Sequence, residues 1–151
     1  MRYRFAICED NDADAQYFCA CVSSWAGQKG VTIQTEIFSS AESFLFRYEE
    51  DKNYDVLLLD IEMGQTDGVT LAKQIRSTND DVQIIFITGF PDFMAEGYEV
   101  SALHYLMKPV SEEKLSDVLD RALERLGKHE KYVLLHVDEQ KMRIPVSAII
   151  C

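Results

Sequence analysis

Long apolar runs are missing from this sequence. No stretch of the 151 residues approaches the roughly 20 apolar residues that a membrane-spanning helix needs, so no membrane partner is expected. The first residues, MRYRFAICEDN, reach Glu9 and Asp10 without the apolar core of a signal peptide, and a cytoplasmic protein is expected. Basic charge is scarce as well. Fifteen Lys and Arg stand against 26 Asp and Glu, giving a net charge of −11. Such a field does not draw nucleic acid, although carboxylates that converge would attract a cation. Cysteine is sparse, and Cys8, Cys19, Cys21 and Cys151 show no zinc-ligand spacing. Cys19 and Cys21 are two apart in a helix-like run and point to different faces, so reduced thiols are expected. His104, His129 and His136 lie too far apart to suggest a catalytic or ligand set.

What is present alternates between strand-like and helix-like runs. RYRFAIC (Arg2 to Cys8) is apolar and ends in Glu9-Asp10. Ala15, Phe18, Val22 and Trp25 then recur at helical spacing before Gly27 and Gly30. VTIQTEIF (Val31 to Phe38) alternates, as a strand exposed on one side does. Ser39 and Ser40 are candidate caps for a helix with Ala41, Phe44, Leu45 and Tyr48 on one face. YDVLLLD (Tyr54 to Asp60) is a third strand, Asp67-Gly68 reads as a turn, and Leu71, Ala72 and Ile75 mark a short helix. VQIIFIT (Val82 to Thr88) is a fourth strand and Asp92 to Tyr98 a weak fourth helix. ALHYLMK (Ala102 to Lys108) is a fifth strand closed by Pro109. Ser111 caps a last helix carrying Leu115, Val118, Leu119, Ala122, Leu123 and Leu126, which Gly127 ends.

Five continuous strand–helix repeats imply a parallel sheet covered on both faces, a doubly wound α/β fold. The expected first domain is 1–128. Residues 129–151, with KYVLLHVDEQKMRIPVSAII, read as two further strands that either begin a second domain or extend the first.

In a doubly wound sheet the ligand site lies at the carboxyl ends of the strands. Strand one delivers Glu9 and Asp10 there, strand three Asp60, strand four Thr88 and strand five Lys108. Crowded carboxylates repel by about 4 kcal/mol per pair at 4 Å and an effective dielectric near 20. Hard oxygen ligands in this number select Mg²⁺, and a lysine and a hydroxyl beside them make a cradle for a phosphoryl group. The Asp60 carboxylate is then the candidate nucleophile.

At these residues the chain resembles the response-regulator receiver domain of two-component signalling. The resemblance covers about residues 3 to 127 and rests on Glu9-Asp10, on Asp60 in LLLDIEMGQTDG, on Thr88 in FITG and on Lys108 in YLMKP. It implies Asp60 as phosphoacceptor for a sensor histidine kinase. It implies Mg²⁺ on Glu9, Asp10, Asp60 and the Glu62 main-chain carbonyl, and Lys108 as the ion-pair partner of the phosphate. Thr88 and Tyr105 would be the switch residues, Glu62, Gly89 and Phe90 would flank the phosphate, and Lys108–Pro109 would be a cis peptide. A homodimer through the fourth helix, fifth strand and last helix is implied too. The family often has proline four residues after the acceptor, where this chain has Gly64. YEVSALHYLMKPV (Tyr98 to Val110) and the C-terminal strands resemble LytTR-type transcription regulators, whose DNA-binding domain would here be truncated, leaving DNA contact to residues outside this chain.

Two other classes share parts of this pattern. A Mg²⁺-dependent phosphohydrolase of the haloacid-dehalogenase type also uses a strand-end Asp, but with a second Asp two residues on, where this chain has Glu62. A phosphate-independent receiver-like module would have lost a site residue, and a flavodoxin-like FMN carrier would need a Ser/Thr-rich loop where Glu9 and Asp10 stand.

Overall fold

The computed structural model describes residues 2–63, 66–89 and 101–139, with side chains of the last helix as far as Gly127. Strands β1 (Arg2–Cys8), β2 (Thr32–Phe38), β3 (Val56–Asp60), β4 (Gln83–Thr88) and β5 (His104–Met107) form one sheet. Helices α1 (Asp12–Lys29), α2 (Ala41–Glu50), α3 (Gly68–Arg76) and α4 (Glu112–Glu139) connect and follow them. Every pairing is parallel and the order is β2-β1-β3-β4-β5. The fold is the flavodoxin-like, doubly wound arrangement.

Alternation along the strands divides the core. Phe5, Ile7, Val56, Leu58, Ile85 and Ile87 face α1 and α4, where Phe18, Val22, Trp25, Leu115 and Leu119 meet them. Ala6, Cys8, Leu57, Leu59, Ile84 and Phe86 face α2 and α3, against Phe44, Tyr48, Leu71 and Ile75. Strands buried on both faces must be apolar without a break, which is why β3 is apolar up to Asp60 and β4 is apolar from Ile84 to Ile87. β2 lies at the sheet edge and keeps its alternation.

The caps follow the sequence. Asn11, Ser40 and Asp67 accept hydrogen bonds from the first turns of α1, α2 and α3, and Ser111 Oγ accepts from Lys114 N–H at 3.1 Å. Gly30, at φ 68°, closes α1. Two expectations change. Asp67-Gly68 is the N-cap and first residue of α3 rather than a free-standing turn. Helix α4 passes through Gly127 and continues to Glu139, so the first of the two C-terminal strands is helical over 131–139. A glycine inside a helix costs about 1 kcal/mol, too little to stop one that is otherwise supported. The second of those strands, the helix expected at Asp92 to Tyr98, Phe90 and Gly64 all lie outside the described residues.

Candidate functional site

The chain turns back on itself at β1. From there β2 lies to one side and β3 to the other, so the ends of β1 and β3 flank a crevice. Glu9 and Asp10 follow β1 and Asp60 ends β3. Carboxylate oxygens of the three lie within 4.8 Å of one another. Glu9 and Asp60 are buried and Asp10 is exposed.

Lys108, directly after β5, reaches across this crevice. Its Nζ donates to Glu9 Oε1 at 2.8 Å, to Asp60 Oδ2 at 3.2 Å and to Asp14 Oδ2 at 3.3 Å. The Lys108–Pro109 peptide is cis, as the resemblance implied, and Lys108 N–H donates to Thr88 O at 2.8 Å. That bond ties the end of β5 to the end of β4. The register pairs Asp60 with Ile87, which sets Thr88 one residue farther along the same rim. Thr88 is fully buried. Tyr105 is half-buried on β5, its ring 5.2 Å from that of Phe86. Glu62 donates its main-chain N–H to Asp60 Oδ1 at 3.2 Å, while its side chain is exposed, as is Gly89.

Electrostatics at the rim are one-sided. Burial, and next the hydrogen bond and charge of Asp60, push the Glu9 carboxyl above the usual range, while Lys108 and the Asn11 N–H pull it back in part. Burial works against the Lys108 charge, but its bonds to Glu9 and Asp60 and their charges outweigh it, and its pKa is raised. Four carboxylates, Glu9, Asp10, Asp14 and Asp60, surround one ammonium, which leaves three negative charges unbalanced if all are ionised. Oxygen ligands on octahedral Mg²⁺ sit ~2.1 Å from the ion and so ~3 to 4 Å apart. The Glu9, Asp10 and Asp60 oxygens, all within 4.8 Å of one another, have the chemistry to hold one hard divalent cation and need at most a small inward movement to do so.

Two contributors escaped sequence reasoning. Asp14 lies in the first turn of α1, three residues past the Asn11 cap, and an acid in the turn that follows the strand-end pair is the signal that could have found it. Gly68 opens α3 against the main chain of Asp60. A Cβ there would stand 2.4 Å from the Asp60 carbonyl oxygen and 3.0 Å from Ile61 Cα. No sequence pattern announces that contact.

Comparison with known proteins agrees with this geometry. The response regulator receiver domain family matches residues 6–120. Among relatives, the transcriptional regulatory protein RprY of Bacteroides fragilis is 29% identical over 133 residues, covering 86% of this chain and 53% of its own length. The sensory transduction protein LytT of Oceanobacillus iheyensis is 32% identical over 114 residues, covering 70% of this chain and 46% of its own. The chain therefore spans about half the length of these relatives. The response regulatory domain of mrkE from Klebsiella pneumoniae superposes with a TM-score of 0.72 at 25% identity, over 80% of this chain and 95% of that one. The phosphohydrolase reading is not favoured by these matches. The acid-lined crevice, the lysine bridging it and the matched 115 residues have one common account: this chain belongs to the response regulator receiver domain family.

Proposed function

We propose that the chain accepts a phosphoryl group on Asp60 from a phosphohistidine of a sensor histidine kinase and thereby switches the output of a transcription regulator. The observation that carries this reading is Asp60 Oδ2 lying 3.2 Å from Lys108 Nζ inside an acid group of metal-binding size. Asp60 is the residue that β3 presents at the switch point, held by the Glu62 N–H on its other oxygen.

An Asp60 carboxylate oxygen attacks phosphorus, the phosphorus–nitrogen bond breaks, and the bonding pair stays on the imidazole nitrogen. Asp60 becomes an acyl phosphate. Lys108 turns from sharing three carboxylates to pairing with the new phosphate. Glu9, Asp10, Asp60 and the Glu62 carbonyl would hold Mg²⁺, which, when bound, neutralises charge on the transferring group. The chain is not read as an enzyme, since the phosphoryl group stays on its own carboxylate.

The added dianion supplies the differential interaction that a conformational shift needs. Thr88, buried and bonded through its main-chain carbonyl to Lys108 N–H, would turn its hydroxyl toward the phosphate, and Tyr105 on β5 would move in response. Gly89 and Phe90 would flank the phosphate with Glu62. The face of β5 and α4, with Met107 40% exposed, would then favour a homodimer together with the segment before β5. Residues from about 129 onward lead to the DNA-binding part of a LytTR-type regulator, and a cytoplasmic location goes with that role.

Intact-mass measurement with acetyl phosphate and Mg²⁺ tests the proposal. One phosphate is expected on the native chain and none on Asp60→Ala. Unchanged mass in the native protein, or phosphate retained by the variant, would overturn it.

A further inference from the structure

Lys108 has three N–H donors, and three carboxylates take them. Two of the acceptors are deep, with the Glu9 side chain 1% and the Asp60 side chain 5% exposed. The third, Asp14, is 43% exposed and stands on the solvent side. Asp14 lies outside the group formed by Glu9, Asp10 and Asp60.

Asp14 is also anchored. Its N–H donates to the Asn11 cap at 2.9 Å, in the first turn of α1. One turn on, Tyr17 donates its hydroxyl to Val110 O at 2.7 Å. The same face of α1 therefore grips the segment after β5 on both sides of Pro109, through Asp14 to Lys108 and through Tyr17 to Val110. Asp14 thus sets a negative charge on the exposed side of Lys108, while the Tyr17 bond keeps the following segment against α1.

Resting on the reading of Asp60 as phosphoacceptor, we propose that Asp14 is a positioning residue. It holds the Lys108 ammonium toward solvent and restrains phosphorylation in proportion to the negative charge of the donor. A donor must displace Asp14 from Lys108 and approach a fixed like charge as it does so. Both effects grow with donor charge and fade with salt.

The test compares the full chain with Asp14→Asn in the presence of Mg²⁺. The readout is the second-order rate constant of phosphorylation by acetyl phosphate, a dianion, and by phosphoramidate, with one net negative charge. At low salt Asp14→Asn should react about threefold faster with acetyl phosphate and gain less with phosphoramidate. Both gains should vanish near ~0.5 M salt, where screening acts within a few ångströms. Asp14→Glu should keep native rates. Tyr17→Phe removes the tether but not the charge, and should alter both donors alike at any salt. An equal change for both donors in Asp14→Asn, a change that persists in high salt, or a slower reaction would overturn the assignment. So would a salt-dependent gain in Tyr17→Phe. Failure of the underlying reading is separate: the native chain itself would then take no phosphate, or Asp60→Ala would still take it.

Discussion

Two clusters at opposite ends of the sheet each set a cation among acids, and they differ in charge balance. At the amino end, Arg4 on β1 binds Glu36 Oε2 at 2.7 Å and Asp51, and lies 4.3 Å over the Tyr54 ring. Arg47 adds a second cation, 3.6 Å from Glu36. Two cations thus meet Glu36 and Asp51, with Glu50 3.8 Å from Arg47 and the Asp55 carboxylate accepting the Arg4 main-chain N–H. At the carboxyl end one ammonium binds Glu9, Asp14 and Asp60, and Asp10 stands beside Glu9 and Asp60 as a fourth carboxylate. The consequence shows in the acids themselves. Burial raises Glu36, but Arg4, Tyr54 and Arg47 outweigh it and hold its carboxyl low, while burial and Asp60 hold Glu9 high. The amino-end cluster, with two cations among its acids, is nearer to balance and serves the fold. An unbalanced one is stored repulsion that a bound cation relieves.

The largest effect expected is at the unbalanced end, where α3 leans on the end of β3. Gly68→Ala would force a Cβ to 2.4 Å from the Asp60 carbonyl oxygen, so α3 or the end of β3 must shift. A loss of ~3 kcal/mol is expected, read by urea unfolding, together with slower phosphorylation. Native stability in Gly68→Ala would show that the contact yields easily and that Asp60 is less firmly placed than Lys108.

Next are the two cations. Arg4→Met takes the ion-pair partner from Asp51 and leaves Glu36 to Arg47 alone, and should lower stability by ~2 kcal/mol. Lys108→Met strands Glu9 and Asp60. The difference lies in rescue: added Mg²⁺ should restore much of the melting temperature of Lys108→Met and none of that of Arg4→Met. Equal rescue, or none in either, would remove the distinction between the two ends.

How much of this was legible beforehand follows from the same geometry. Parallel strands buried on both faces end at one edge, so the residue closing each apolar run is placed by topology alone. Glu9, Asp10, Asp60, Thr88 and Lys108 were legible for that reason. Asp14 was not, because its partner lies 94 residues away, and the contact depends on how α1 sits against the segment after β5. The Arg4 cluster was hidden similarly, since Arg4 meets Asp51 across 47 residues and through the loop after α2. Beyond Gly127 the failure was local. YVLLHV suits a strand or a buried helix turn equally well by periodicity, and continuation of α4 decides it.

Single acids give smaller effects of opposite sign. Asp10→Asn removes one of four crowded charges and should raise the metal-free stability by at most ~1 kcal/mol because Asp10 is exposed. It should also weaken Mg²⁺ binding, seen as a smaller Mg²⁺-induced stabilisation. Glu36→Gln takes a shared partner from Arg4 and Arg47 and should lower stability by ~1 kcal/mol, with no effect of Mg²⁺. Changes of the same sign in both variants would mean that charge balance does not govern the two ends.

The smallest effect is in the pH dependence of the amino-end cluster. Glu36 ionises more readily in the folded chain than its ordinary value of 4.5, because Arg4, Tyr54 and Arg47 outweigh its burial. The unfolded chain therefore binds the proton more tightly. Stability from this group is fully present above the unfolded value and is lost as pH falls through the lowered folded one. Between about pH 5 and pH 3 the native melting temperature should fall more steeply than that of Glu36→Gln, which has no proton to take up there. The two curves should run parallel above about pH 6. A native curve no steeper than the variant's in acid would mean that solvent screens Arg4 from Glu36. The amino end would then be packed rather than charge-matched, and the contrast with Lys108 would rest on the carboxyl end alone.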